Sequence, residues 1–491
     1  MERYWKVFLL FVFFTQALTE GFAQSGNYWS TNLNSEAALL GGAVVGGGSG
    51  VTSIFYNPAG ISEIEKSNVT LNSSMLSLTS KSYLNAMGAG QDLSQMSFEV
   101  KPRFVSYQYR SKKIIELSWE LSMFNKDAKN IFLHGSYTAP ADKYGFNNGE
   151  QYYGYLDFLQ RYNDYYAGIG TAYSINDKWK IGLSLLASIK DLTAISEAGT
   201  SIYMEGTGDY LTETTNLAGW HNYKMVSLMD VRVVSKIGVR YYVNREMSLG
   251  LTVSLPSLRV FSYANGKKVL DFNGIKDNKG NPVPDYFKQE TISYVKAQLR
   301  DPFSIAIGVR RRPFNSKNIY SITIEWFAKL KPYKAINAEE GKSIFGEQEY
   351  GTEFSNYYMG NRSVINFAFG YKRVVRTNLE LLFGFKSDFF SYYLPASFEK
   401  EHQTANTFIK VGADMLHLSS GANFIFKNKF KINLGGSLSY ARSSRNKQFI
   451  NFEDANWYDY DTHLALQGKR GYEMIFREIS LGLFLGFSLD F

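Results

Sequence analysis

The 491-residue chain contains no cysteine, which excludes disulfides, thiolate metal sites and a lipidated amino-terminal Cys. It also lacks any apolar run of the ~20 residues that a membrane-crossing helix needs. Histidine is scarce: His134, His221, His402, His417 and His463 are all there are. Most fall in predicted loops, and none sits in a catalytic motif. A barrel hydrolase would show a Ser and a His facing outward at one depth on adjacent strands, and no such pair stands out. The glycine run Gly46-Gly47-Gly48-Ser49-Gly50 has neither the Lys nor the strand-turn-helix setting of a nucleotide loop. Metal-ligand spacings are absent, so the reading carries no cofactor and no enzyme activity.

Aromatic residues, by contrast, make up 16% of the chain, with 35 Tyr and 37 Phe, while the mean hydropathy is slightly negative. Tyr and Trp join an apolar body to a wet end, as at a membrane–water interface. The net charge is +8, but the basic residues are spread along the chain. A nucleic-acid surface would cluster them on one face, so no nucleic-acid partner is implied.

At the amino terminus, Arg3 and Lys6 precede the apolar run Val7 to Phe14, and the small residues Gly21 and Ala23 follow. That order predicts a secretory signal peptide over 1–23, cut before Gln24. The last residues alternate strictly, with Ile479, Leu481, Leu483, Leu485, Phe487, Leu489 and Phe491 on one face and Ser480, Gly482 and Ser488 among those between. Period two fixes a strand with one apolar face. Ending on an aromatic residue, it resembles the closing strand of a bacterial outer-membrane β-barrel, with Phe491 as the terminal membrane-insertion residue and the barrel-assembly machinery as its partner.

Beyond residue 67 about fourteen alternating segments can be read. Ile115, Leu117, Trp119, Leu121 and Met123 alternate with Glu116, Ser118, Glu120 and Ser122; Val231, Val233, Ile237 and Val239 alternate with Arg232, Lys236 and Arg240. A soluble β-sandwich shows the same alternation, and the connections decide between them. Short turns near 111–113, 176–178, 244–246, 312–317, 374–377 and 427–429 alternate with long links near 80–101, 125–161, 191–229, 259–301, 331–362, 391–416 and 443–476. The stretch 288–300 is ambiguous and could extend the seventh hairpin above the membrane. Short periplasmic turns and long extracellular loops characterise an all-β transmembrane antiparallel barrel, and an even strand count places both termini in the periplasm. Basic residues recur beside the short turns, among them Arg310 to Arg312, Lys372, Arg373, Arg376 and Lys431. They suit either lipid headgroups or solvated turns.

Between the cleavage site and the first strand lies a Gly- and Ala-rich segment, 24–67, that contains Phe55-Tyr56-Asn57-Pro58-Ala59-Gly60. Pro58 fixes its own φ and keeps Asn57 extended, Gly60 can take positive φ, and Asn57 can bond nearby backbone. These features make a rigid corner, and small residues let backbone pack against a wall. The block resembles the signature of the FadL/TodX family of outer-membrane long-chain fatty-acid and hydrocarbon transporters. Asp301-Pro302-Phe303, Ile322 to Trp326 and the closing hairpins fit the same pattern, although the acidic residue that family members often carry before the block is replaced here by Gly48 to Ser53.

The resemblance implies three regions: the signal peptide, a hatch over 24–67 that plugs the lumen, and a fourteen-stranded barrel over 68–491 in the outer membrane. It also implies that a hydrophobic ligand such as a fatty acid or hydrocarbon shifts the hatch at Phe55 to Gly60 and leaves sideways into membrane lipid, down a gradient. The expected lumen carries Glu116, Glu120, Arg232, Lys236, Arg240, Glu325, Glu380 and Lys386, read as mutually paired wall packing rather than ligand contacts. The ligand pocket is expected higher, among Tyr152-Tyr153 and Phe389-Phe390-Tyr392-Tyr393. The alternatives are a general porin and a FadL-like barrel that docks a protein partner at its extracellular loops in secretion, with Tyr152 to Tyr155 and Trp457 to Tyr460 as contacts.

Overall fold

The computed structural model describes residues 26–29, 33–48, 50–64, 66–72, 75–101, 104–110, 117–144, 146, 149–204, 215–277, 279–338, 355–395, 398, 411–426, 430–453, 457–460 and 463–490. The signal peptide, Ile115, Glu116 and Phe491 therefore lie outside the described residues.

Eighteen strand segments form one antiparallel sheet, and four pairs of them are successive halves of one strand, giving fourteen. In chain order they are β1 (Asn68–Asn72 and Met75–Leu84), β2 (Leu93–Lys101 and Phe104–Arg110), β3 (Leu117–Pro140), β4 (Gln151–Ser174), β5 (Trp179–Met204), β6 (Thr215–Tyr242) and β7 (Met247–Ser254 and Leu258–Asn273). Then follow β8 (Tyr286–Val295 and Ser304–Arg311), β9 (Asn318–Phe327), β10 (Val364–Arg376), β11 (Leu379–Asp388), β12 (Met415–Phe426), β13 (Phe430–Asn446) and β14 (Met474–Asp490). The first strand pairs with the last, Val69 opposite Leu489 and Ser80 opposite Ile479, so the sheet closes. Two short ribbons, Leu330–Ile336 with Tyr357–Asn361 and Trp457–Asp459 with Leu464–Gln467, pack at the end with the long connections.

The outer face explains why this cylinder belongs in lipid. Leu121, Ile307 and Leu483 stand out 58%, 57% and 59% exposed, while Glu120, Ser184 and Arg240 on the same walls are fully buried inside. Water would penalise such a band, whereas hydrocarbon does not. Closure joins the first strand to the last, so the backbone is bonded around most of the ring. No helix among the described residues is long and apolar enough to cross a membrane; the strands do so.

One expectation needs correcting. The links near 125–161 and 191–229 are mostly strand, since β3 and β4 stay paired from Leu117↔Tyr173 to Pro140↔Gln151, and β5 and β6 from Trp179↔Tyr241 to Met204↔Thr215. Above the lipid level the outer face turns polar, with Asp191, Thr193 and Glu197 following Leu185 and Ile189 on β5, so the apolar alternation that marks a strand fades while the ladder continues. The stretch 288–300 behaves as expected in part: Tyr286–Val295 extends the hairpin with β7.

Introducing a charge into the lipid-facing band tests the placement. Leu483→Arg should destabilise the folded barrel by about 2–4 kcal/mol in denaturant titrations in lipid vesicles, whereas Ser444→Arg, exposed beyond the apolar band, should change it by much less.

Candidate functional site

The segment 26–64 fills the lumen. Its helix α1 (Ser35–Leu39) is capped by Asn34, whose Oδ1 accepts from the Ala37 amide at 2.7 Å. It ends at Gly41 and Gly42, both at positive φ. The chain then crosses the lumen through Val44 to Gly47 and forms a second short helix, α2 (Ser53–Tyr56), followed by the 3-10 turn Pro58–Glu63.

Asn57 is the corner that the sequence anticipated. It is extended and fully buried; its Oδ1 accepts from Ala59 N at 3.1 Å, and its Nδ2 donates to Val45 O at 2.9 Å and to the wall carbonyl of Val239 at 3.2 Å. One side chain thus ties both halves of the hatch to β6. Gly60 corrects an expectation: it is not among the residues at positive φ and lies buried in the 3-10 turn, so smallness, not backbone freedom, is what its place uses.

The wall opposite is built to receive backbone. Register pairs Gly182 with Gly238 and Gly250 with Gly308. A Cβ on Gly182 or Gly238 would collide with Pro58 or Asn57, and one on Gly250 or Gly308 with Val45 or Gly46. Further round, Gly384 meets Gly41, while Gly421 and Gly435 meet Leu39. This glycine floor had no signal in the sequence, because strand glycines could equally mark bulges.

Ion pairs pin the hatch at both ends. Glu36 on α1 meets Lys372 at 3.2 Å and Lys431 at 2.5 Å, with Lys372 also on Glu380 at 2.6 Å. Glu63 meets Arg240 at 2.5 Å and accepts from Tyr242 Oη. Burial opposes ionisation of both glutamates, yet the facing cations prevail and hold the two carboxyls below their usual range.

The remaining lumen charges are mostly satisfied, though not by one another as the sequence led us to expect. Glu120 accepts from Gln108 Nε2 at 2.8 Å and Ser122 Oγ at 2.9 Å; Arg232 pairs with Asp230 at 3.1 Å; Glu325 accepts from Trp29 Nε1 at 2.7 Å and Ser304 Oγ at 2.6 Å; Lys386 donates to Trp29 O. Lys236 departs from that pattern. It is 7% exposed, no carboxylate lies within ion-pair distance among the described residues, and its Nζ sits 3.7 Å over the ring of Phe55. Phe55 in turn packs edge-on against Phe124 and Tyr166. Lys236, Lys126 and Lys386 line a cavity with Tyr28, Phe55, Tyr56 and Glu325, of about 30 Å³, which admits a water or two and no acyl chain. The conformation is closed.

Above this cavity, Asp164, Lys190 and Asp301 form a buried layer with Lys190 bonds of 3.1 and 2.8 Å. Higher still, the loop aromatics expected to make a pocket are packed away. Tyr152 is buried against Phe452, and Phe390 and Tyr392 lie in a second apolar core, so the lumen is capped there. Among the described residues no cluster of His, Asp and Glu could hold a metal. His417 bonds Ser439 Oγ at 2.6 Å inside the wall, but its other ring nitrogen has no partner, so no carboxylate completes a triad.

Among the described residues the ladder is interrupted between β2 and β3. Phe104–Arg110 pairs with β3, but no register links Leu93–Lys101 to it. The Gln95 side chain bridges there, donating to Asn130 O at 3.3 Å and accepting from Phe132 N at 3.1 Å. A bulge between Asn125 and Asp127 of β3 lies beside this break and turns Lys126 into the lumen. Met96 and Phe98 flank it, 74% and 68% exposed.

Replacing Asn57 by Ala should raise amide exchange of 43–60 by ~10–100-fold, the loss of about 1–3 kcal/mol, with barrel melting unchanged. The Glu36 and Glu63 pairs, titrating below the unfolded value near ~4.3, should contribute hatch protection in full above that pH and lose it only as pH falls through the lower folded values; exchange measured against pH checks this.

No protein-family sequence model matches the chain, and no curated protein sequence does. Solved structures do. A Pseudomonas aeruginosa FadL homologue superposes with a TM-score of 0.55 at 11% identity, covering 96% of this chain and 100% of that one. The P. putida toluene transporter TodX gives 0.53 at 13%, covering 94% and 99%, and the Ralstonia pickettii toluene transporter TbuX 0.50 at 12%, covering 94% and 99%. At such identities the likeness fixes architecture, and this chain has the barrel fold of the FadL and TodX structures.

Proposed function

We propose that this protein is an outer-membrane channel that passes hydrophobic small molecules down their gradient, with its short turns and carboxy terminus on the periplasmic side and its hatch as the gate. The amino-terminal end departs from the expectation, since Gly26 O accepts from Ser391 N inside the lumen near the long connections. The observation that carries the reading is the missing ladder register between Leu93–Lys101 and β3, beside which Lys126 reaches the closed cavity at the hatch. A ligand in that cavity has an apolar-flanked way into the bilayer that never crosses the hatch. A conduit of this kind lowers the barrier to crossing by shielding apolar surface from water. The toluene transporters among the similar structures support apolar cargo. Lys236, buried with its Nζ over the Phe55 ring and no carboxylate at ion-pair distance among the described residues, favours a long-chain fatty acid over a neutral hydrocarbon, since a carboxylate would complete its coordination.

In this reading Phe55, Tyr56, Asn57, Pro58, Ala59 and Gly60 form the moving part: withdrawing Phe55 from Lys236 enlarges the cavity. The packed aromatic cap at the long end supports capture of ligand more than docking of a protein, because Tyr152 and Tyr458 face inward.

The cysteine-free background makes the test clean. With Gln95→Cys and Asn130→Cys joined by a short crosslinker, uptake of a fluorescent fatty acid into proteoliposomes should fall at least tenfold and recover on cleavage of the linker; unchanged uptake would show that ligand leaves elsewhere. Lys236→Met should reduce fatty-acid transfer severalfold more than toluene transfer, and an equal effect on both would remove the acid preference.

A further inference from the structure

A second feature of the outer wall lies far from the ladder break. On the lipid face, β10 to β14 present side chains in rows set by the register. One row runs Tyr371, Phe383, Ser420, Gly436, Leu483; the neighbouring row runs Phe369, Phe385, Leu418, Leu438, Leu481. Ser420 and Gly436 are adjacent outward positions with almost no side chain, walled by Phe383, Leu418 and Leu438, all well exposed. The result is a lipid-facing groove of about 520 Å³, mostly apolar.

Lipid tails cover this band everywhere, so an apolar groove alone gains only packing contacts and selects nothing. A head-group anchor is needed, and the same strands supply one. Arg373, opposite Leu381, points outward one row nearer the short turn, about 7 Å along the strand from Tyr371. Arg376 is exposed at the end of β10. Their neighbour Lys372 turns inward to Glu36 and Glu380, whereas no carboxylate among the described residues pairs with either arginine. Two free guanidiniums at the edge of the apolar band suit a phosphate diester, which accepts their forked donors.

We propose that this groove is a seat for a glycerophospholipid, one acyl chain lying over Ser420 and Gly436 and the phosphate on Arg373 and Arg376. The choice of glycerophospholipid rests on the orientation given above, which puts the short turns in the periplasmic leaflet. The seat also touches the gate: behind it Gly421 and Gly435 lie directly on Leu39 of α1, and Ser419 Oγ donates to Leu39 O at 3.3 Å.

Native mass spectrometry of the full-length protein, released from nanodiscs of phosphatidylethanolamine and phosphatidylglycerol, tests this. One retained phospholipid per barrel is expected, with at least a tenfold loss of occupancy in Gly436→Leu, which fills the groove, and in Arg373→Gln with Arg376→Gln. Leu251→Ala, elsewhere on the band, should retain it, and heat-modifiable gel mobility confirms that each variant is folded. Retention unchanged in both groove and arginine variants would overturn the seat, as would equal loss in Leu251→Ala. Preferential retention of lipopolysaccharide from outer-membrane extracts would overturn the glycerophospholipid and, with it, the orientation, while leaving the crosslinking test of transport untouched.

Discussion

Hydrocarbon offers a backbone amide nothing to bond, and that single constraint shapes everything else in this molecule. It forces the strands into a closed cylinder, and closure leaves an interior that must be either filled or wet. Here it is filled by the chain's own leading segment. For irregular backbone to lie inside a wall of strands, the wall must give up side chains where the two meet, and it does so at facing glycines on β5 and β6 and on β7 and β8. Asn57 then supplies the bonds that an irregular turn cannot make to a ladder.

The hatch is held by two kinds of force with different ranges. Glycine-to-backbone contact is steric and sharp; it fails with a displacement of less than an ångström. The Glu36 and Glu63 ion pairs are buried beside their cations and act over several ångströms. Such a combination suits a plug that stays near its seat while part of it shifts. Lys236 stands at the point where the two meet, bonded to neither wall nor hatch carboxylate and resting on the ring of Phe55.

The strands and the hairpin parity were legible because lipid on one side and lumen on the other impose a strict period of two. The hatch was legible through Asn57 and Pro58, whose local geometry follows from their own chemistry. The upper halves of β3 to β6 were not: with water outside, residues such as Asp191 and Glu197 alternate without contrast, so paired strand looked like loop. Nor could the sequence tell which interior charges find partners. Glu36, Lys372 and Lys431 meet across almost the whole chain, and only the closed register brings them together. Tyr152 and Tyr392 read as exposed loop aromatics because burial in the cap depends on the segment around Phe452 and on the ribbon at Tyr357–Asn361.

The seam between β1 and β14 has a consequence for biosynthesis. Thr70 and Ser488, hydrogen-bonded across it, are 418 residues apart, so the ring cannot shut until residue 488 has been made. The hatch precedes every strand it touches, from β2 round to β14. It must therefore travel with the nascent polypeptide as an unhoused tail and be enclosed as the sheet curls, because threading it into a finished ring would mean forcing it past the charged layer at Asp164 and Lys190. Loop-closure entropy makes that last joining slow. A chaperoned, open-sheet intermediate with its stopper already aboard is the order of events that this topology demands.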